Sequence, residues 1–235
     1  MTSKSDRLDR FISKKKSINR KHVRLLLAQK RIIVDNQISK ETQQLITPFN
    51  EVYLDGELLQ KKSAIYLILN KPKGIISATK DPIHKTVLDL IDPDLHDSLH
   101  IVGRLDRYST GLILLTNNGN WSSAITNPNN KVAKQYIVEV ENDINESCIQ
   151  AFSDGIYFPY EGITTQPAAI SLITSKKALV ELKEGKYHQI KRMFGRFRNP
   201  VLSIHRRAIG NLQLPEELKP GMYRHLTKEE LELLL

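Results

Sequence analysis

Apolar and polar positions change period along the first sixty or so residues. Leu8, Phe11 and Ile12 fall at helical spacing, and Val23, Leu25, Leu26 and Leu27 lie in a second helical stretch from His22 to Gln29. R-I-I-V-D-N-Q-I then reads as a strand, a tight turn at Asp35-Asn36 and a second strand. Asparagine tolerates the positive φ such a turn demands, less readily than glycine. Pro48-Phe49-Asn50 opens another turn, E-V-Y-L-D-G alternates as a short strand, and Gln60-Lys61-Lys62-Ser63 predicts a linker.

Past that linker, A-I-Y-L-I-L-N-K-P-K-G-I-I-S predicts a buried strand followed by a loop punctuated by Pro72 and Gly74. The acidic segment from Asp81 to Asp97 reads as a solvated excursion around a short helix at Val87 to Leu90. Its carboxylates do not follow calcium-loop spacing, so no metal is expected there. A-K-Q-Y-I-V-E-V-E alternates as a strand, Ile144 to Phe152 predicts a helix, and A-A-I-S-L-I with A-L-V-E-L-K predicts a strand pair. A basic helix is expected from Tyr187 to Phe197, and Thr227 with Glu230 three residues on forms a capping box for a final helix. Hairpin-like strands mixed with helices predict an α+β chain with a small module over residues 1–60 and a larger body over 61–235 on an antiparallel or mixed sheet. No repeat, phosphate loop or G-x-G-x-x-G pattern occurs.

Charge sharpens this picture. The 235 residues are 40% hydrophobic, enough for a real core, and the net charge of +9 favours a polyanionic partner, nucleic acid being the commonest. The surplus is concentrated in the first module, where Arg20, Lys21 and Arg24 join Arg7, Arg10, Lys14, Lys15 and Lys16 around the apolar positions. A solvated helix face is the plain reading of that pattern, and its density and single sign favour a phosphate-binding patch. The lone cysteine, Cys148, shares a helical face with Ile144, Ile149 and Phe152 and is expected to be a packed core thiol. The N-terminus carries no apolar signal region and no segment reaches transmembrane length, so the expected setting is the cytoplasm, with no membrane partner.

Three stretches could carry chemistry. G-R-L-D-R-Y-S-T-G-L-I-L-L-T-N-N-G, from Gly103 to Gly119, sets Asp106 between Arg104 and Arg107 at the entrance to an apolar run. A half-buried carboxylate tends to take up a proton, and a nearby cation reverses that preference. Residues so close in sequence can face opposite ways, so one of the two arginines is free to point at phosphate. In E-G-K-Y-H-Q-I-K-R-M-F, a helix would place Tyr187 and His188 on one face with Lys191, and Lys191 or Arg192 would reach a carboxylate on another element. A basic surface helix is the alternative. Tyr136 in K-Q-Y-I-V-E-V reads alone as a β-favouring residue, and beside a nucleic-acid pocket it would stack on a base or handle a proton.

Taken together these stretches resemble the RNA pseudouridine synthases of the RsuA/RluB/RluE/RluF type. R-L-D-R-F-I, R-K-H-V-R-L-L-L, R-I-I-V-D-N-Q and N-E-V-Y-L-D-G resemble the S4 RNA-binding domain, with Asn36 where that domain usually has glycine. The K-Y-H-Q-I-K-R-M-F form is most similar to the branch acting on small-subunit ribosomal RNA. The resemblance implies an S4-like domain over 1–60 and a catalytic domain over 61–235. It implies that Asp106 is the nucleophile, that Tyr136 packs on the target base and moves a proton, and that Lys191 pairs with the aspartate. It assigns Arg104 and Arg107 to RNA contact or to holding the loop, and adds Arg192 to the RNA-binding set. No metal and no organic cofactor are implied, the partner is ribosomal RNA, and the chain is expected to act as a monomer.

The chemistry is consistent with this. Conversion of uridine to its C-glycoside breaks the N1–C1′ bond, turns the freed uracil and rejoins it through C5, and a carboxylate suits attack at the sugar or the base ring. Flipping the uridine out of folded RNA calls for strong backbone binding elsewhere, which the first module and Arg196, Arg198, Arg206 and Arg207 are placed to supply. The competing readings are a large-subunit synthase of the same family, a non-catalytic rRNA-binding or assembly factor, and a base-removing glycosidase.

Overall fold

A computed structural model describes residues 5–234. The chain forms two compact units, one of residues up to 64 with 118–120 and one of the remainder. In the first, β1 (Asp6–Arg7) leads into α1 (Leu8–Lys16), which stops where Ser17 turns left-handed at φ 54°. Helix α2 (Arg20–Ala28) is capped by Asn19, whose side chain accepts from the His22 N–H. There follow β2 (Ile32–Val34), β3 (Gln37–Ile38), β4 (Leu45–Ile46), β5 (Val52–Leu54) and β6 (Glu57–Gln60). Strands β3-β2-β5-β6 make an antiparallel sheet, and β1 pairs with β4. Asp35 and Asn36 both have positive φ, 48° and 64°, the pair of values a type I′ hairpin turn requires, so Asn36 serves where glycine is commoner. Leu8, Ile12, Val23, Leu26, Ile32 and Val52 form the core, and all but Leu26 are fully buried. Gln60 is not a linker residue: it closes β6, and its side-chain amide donates to the carbonyls of Thr47 and Asn50.

The second unit is built on one nine-stranded sheet. Its elements are β7 (Tyr66–Lys71), β8 (His100–Val102), β9 (Thr110–Thr116), α3 (Gly119–Thr126), β10 (Lys134–Val140), α4 (Glu146–Asp154), β11 (Tyr157–Phe158) and β12 (Ile163–Thr164). They continue with β13 (Ala169–Thr174), β14 (Lys177–Leu182), α5 (Gln189–Gly195), β15 (Val201–Ile209), β16 (Leu212–Gln213), β17 (Tyr223–His225) and α6 (Lys228–Glu232). The sheet runs β13-β14-β10-β15-β9-β7-β17, with β16 on β15 and β8 on β9. Every pairing is antiparallel except β15 with β9, which is parallel and makes the sheet mixed. That parallel seam is short, His205 opposite Thr110 and Arg206 opposite Gly111. Gly111 is required there: at φ +104°, a Cβ would lie 2.3 Å from the Arg206 carbonyl oxygen.

Helices α4 and α5 cover one part of the sheet, with Val138, Val180, Cys148, Phe152, Met193 and Phe194 in a shared core. The expected helix at 144–152 begins later, at Glu146, because Asn145 caps it by accepting from Cys148 N–H. The acidic excursion holds two short 3₁₀ turns, Leu88–Leu90 and Pro93–Leu95. Its carboxylates serve the local backbone: Asp81 accepts from Ile83 and His84 N–H, Asp89 from Thr86, and Asp92 from Asp94. The Thr227–Glu230 capping box forms as expected.

The basic helix is shorter than its pattern suggests. It starts at Gln189, and Tyr187 and His188 lie outside it, His188 in the left-handed region at φ 49°. The turn before it is organised by buried Glu184, which accepts from Gln166 N–H and the Gln189 side chain and pairs with Lys186 at 3.0 Å. Gln189 in turn accepts from Lys186 N–H, so polar contacts outweigh helix propensity at 186–188.

Candidate active site

Residues 103–109 join β8 to β9 as a loop, and Asp106 lies at its middle. Nearly every peptide of that loop is held. Arg206, 2% exposed on β15, donates from Nε to the Leu112 carbonyl at 2.7 Å, from Nη2 to Gly103 at 3.1 Å and from Nη1 to Arg104 at 3.4 Å. The Ser77 hydroxyl donates to the Leu105 carbonyl at 2.7 Å and accepts from the Leu105 N–H at 3.0 Å. The Asp106 carbonyl accepts from Ser109 N–H, and that of Arg107 from Gly74 N–H. Lys71, wholly buried at the end of β7, donates to the carbonyls of Ser109 at 2.7 Å, Pro72 at 3.1 Å and Arg107 at 3.2 Å. Two buried cations therefore grip the loop from either side of the aspartate. Burial lowers Lys71 to about 8, against the attraction of Asp106 and with repulsion from Arg206 adding to the fall.

The carboxylate itself meets positive charge from α5. Asp106 Oδ2 lies 3.3 Å from Lys191 Nζ and 3.4 Å from His188 Nε2, and the Asp106 side chain keeps 31% of its exposure. Tyr136, 9% exposed on β10, lines the same recess with Leu105, Leu182, Ile190 and Ile204. The recess, about 110 Å³, adjoins a cleft of about 890 Å³ whose walls include Arg104, Lys134, Lys183, Lys186 and Tyr187. The arrangement is a carboxylate and a phenol over an apolar floor, under a cationic rim suited to an anionic polymer.

The structure thus brings Asp106, Tyr136 and Lys191 together, with Arg104 on the wall of the cleft. The arginines flanking Asp106 in sequence are not its ion-pair partners among the described residues. Arg107 turns away, donating to the Gly74 carbonyl at 3.3 Å, meeting His84 at 3.2 Å and lying over the Tyr108 ring. Arg192 points elsewhere, pairing with Glu161 and lying 3.9 Å over the Phe158 ring. Arg206, grouped above with surface arginines for backbone binding, is interior and holds the loop instead. Arg20, Lys21 and Arg24 are exposed on α2 of the first unit.

Residues 65–195 match the family model described as RNA pseudouridylate synthase. The chain belongs to that family. It is 44% identical over 226 residues to ribosomal small subunit pseudouridine synthase A of Pseudomonas aeruginosa, covering 96% of this chain and 98% of that one. It is 37% identical to the protein of the same name in Escherichia coli K12, again over 96% and 98%. Among solved structures, a crystal structure of a pseudouridylate synthase superposes with a TM-score of 0.72 at 35% identity, over 97% of this chain and 99% of that one.

In this pseudouridine synthase, the sequence pattern gave no role to Lys71 or Ser77, placed His188 only as a neighbour of Lys191, and gave Arg206 the wrong role. Lys71 left a trace, a charged residue ending the apolar run Y-L-I-L-N-K with no polar face to serve. Arg206 left none, since His205, Arg206 and Arg207 differ only in which face of β15 each occupies. Among the described residues, no group of three or more His, Cys, Asp or Glu side chains is placed to hold a metal ion. No described helix is long and apolar enough to cross a membrane. Cys148 is buried, and burial raises its thiol to about 11.

Proposed function

We propose that this pseudouridine synthase isomerises a uridine of small-subunit ribosomal RNA, with Asp106 as nucleophile, Tyr136 against the target base and Lys191 as the partner of the carboxylate. The observation that carries the reading is the Asp106–Lys191 contact of 3.3 Å at a recess floored by Tyr136. The substrate class is supported by the names of relatives that match nearly end to end, ribosomal small subunit pseudouridine synthases A.

The chemistry follows from the geometry. Lys191 offsets the cost of bringing a second anion, the RNA backbone, close to Asp106. The carboxylate attacks the nucleoside to form a covalent bond, the N1–C1′ bond opens, and the uracil turns without leaving the recess; C5 then joins C1′, the bond to Asp106 breaks to return the free carboxylate, and the proton lost from C5 is balanced by one gained at N1. Tyr136, on a rigid strand beside the base, stacks on the ring during that turn and handles the proton released from C5. Arg104 meets RNA at the cleft wall, and Arg107 holds the loop.

The first unit serves as an S4-like RNA-binding domain over 1–60, with Arg20, Lys21 and Arg24 on phosphates, and 61–235 is the catalytic domain. The enzyme works as a monomer in the cytoplasm, where its substrate is made. Pseudouridine mapping of ribosomal RNA from cells lacking the native enzyme, complemented with wild type or Asp106→Asn, tests this. Wild type restores one small-subunit pseudouridine and Asp106→Asn none; full modification by the variant, or a restored site in the large subunit only, overturns it.

A further inference from the structure

Tyr187 is an expensive residue to leave where it is. It is 77% exposed, yet its ring is not loose: it stacks on His188 with centroids 3.9 Å apart and planes 21° apart. His188 has its imidazole 3.4 Å from Asp106, so carboxylate, imidazole and phenol ring form a continuous series from the recess outward. The series depends on His188 at φ 49°, a conformation non-glycine residues seldom take, held by the Glu184–Gln189–Lys186 contacts beneath it. Tyr187 lines the large cleft, with Lys183 and Lys186 beside it.

A planar face, pre-ordered by stacking, open on its other side and flanked by lysines, matches one ligand chemistry closely: a nucleobase on a phosphate backbone. The recess at Asp106 is reserved for the flipped base. We propose, resting on the RNA-uridine isomerase reading above, that Tyr187 is the stacking platform for the base of a nucleotide adjacent to the target uridine. Flipping one nucleotide unstacks its neighbours. An aromatic face at the mouth replaces part of the lost stacking and favours RNA in which the uridine is already out. His188 acts as a positioning residue for that face.

The test uses the full-length enzyme on ribosomal RNA fragments carrying the mapped uridine. Tyr187→Ala is expected to lower kcat/KM by about 5- to 150-fold, mostly through KM, the range for loss of one stacked base. Tyr187→Phe and Tyr187→Trp are expected to stay within a few fold of wild type, because the π-face and not the hydroxyl is used. Fragments with an abasic nucleotide immediately 5′ or 3′ of the uridine identify the partner. At one of the two positions wild type falls to the Tyr187→Ala level, and the variant loses nothing more. A Tyr187→Ala enzyme with unchanged KM, or a defect undiminished on both abasic substrates, overturns the proposal. Wild-type turnover on the intact fragment separates this failure from failure of the isomerase reading, since the latter gives no pseudouridine at all. The exposed site makes misfolding a poor explanation, and an unchanged Tm checks it.

Discussion

Replacing Arg206 by methionine keeps side-chain bulk on β15 and removes every donor that Arg206 offers to the aspartate loop. The loss is two good hydrogen bonds, to Leu112 at 2.7 Å and Gly103 at 3.1 Å, and one long one to Arg104 at 3.4 Å. A bond from a charged donor contributes about 1.5–3 kcal/mol, so the gross loss is roughly 5 kcal/mol. Relief from burying a guanidinium that is only 2% exposed offsets part of it, which leaves a net destabilisation of about 3 kcal/mol. For a unit of this size that corresponds to a fall in Tm of about 10 °C. Arg206→Lys keeps the charge without the fork, and should lose about half as much. Because two of the stranded carbonyls, those of Gly103 and Arg104, belong to the loop that carries Asp106, turnover should suffer too. A shift of about 1 Å at the nucleophile costs on the order of 100-fold. Thermal unfolding, single-turnover pseudouridine formation and amide exchange across 103–109 would be measured together, at a temperature where all variants are folded. If Arg206→Met melts within about 2 °C of wild type, or is fully active with unchanged exchange in the loop, the reasoning that buried cations position this loop is wrong.

Lys71→Met probes the other grip. Burial lowers Lys71 in the folded protein to about 8, below the 10.5 of a lysine in water. Between them the unfolded chain holds a proton the folded chain has shed, so the stability of wild type relative to Lys71→Met should rise as pH climbs from about 8 to 10.5 and stay level below 8; urea unfolding across that range checks the sign. Gly111→Ala should block the β15–β9 seam, since a Cβ there meets the backbone of Arg206 at 2.3 Å, and is expected to yield little folded protein by circular dichroism. Removing Arg20, Lys21 and Arg24 together should reduce the slope of log K against log salt for RNA binding by about 2–3, while the melting temperature changes little. Cys148, raised to about 11 by burial, should resist iodoacetamide at pH 8 until the chain is unfolded.

Much of the architecture was legible from local pattern. Period-2 alternation marked β10, where alternate side chains are buried, and short apolar runs marked the β13–β14 pair, of which β14 buries every second residue and β13 stays largely exposed. Helical spacing marked α1 and α2, and the turn chemistry of Asp35-Asn36 marked the hairpin between β2 and β3. The failures share a cause. Tyr187 and His188 fit a helical face as well as Gln189 and Lys191 do, and what removes them is the buried carboxylate of Glu184, whose partners come from residue 166 and from the turn itself.

Local pattern along the chain was enough to identify the reactive groups and the elements that carry them: a carboxylate in a loop before an apolar strand, a tyrosine on an alternating strand, a lysine on a short basic helix. Which charges meet depends on how the strands and helices pack. Neighbours along the chain, Arg104 and Arg107, are not the cations at Asp106, and Lys191, from 85 positions away, is. Likewise Lys71 and Arg206 become interior clamps because the strands that hold them lie on either side of β9. Sequence proximity sets which residues can be close, and strand order and register set which side chains converge, because each side chain takes its direction from the face its backbone is paired to show.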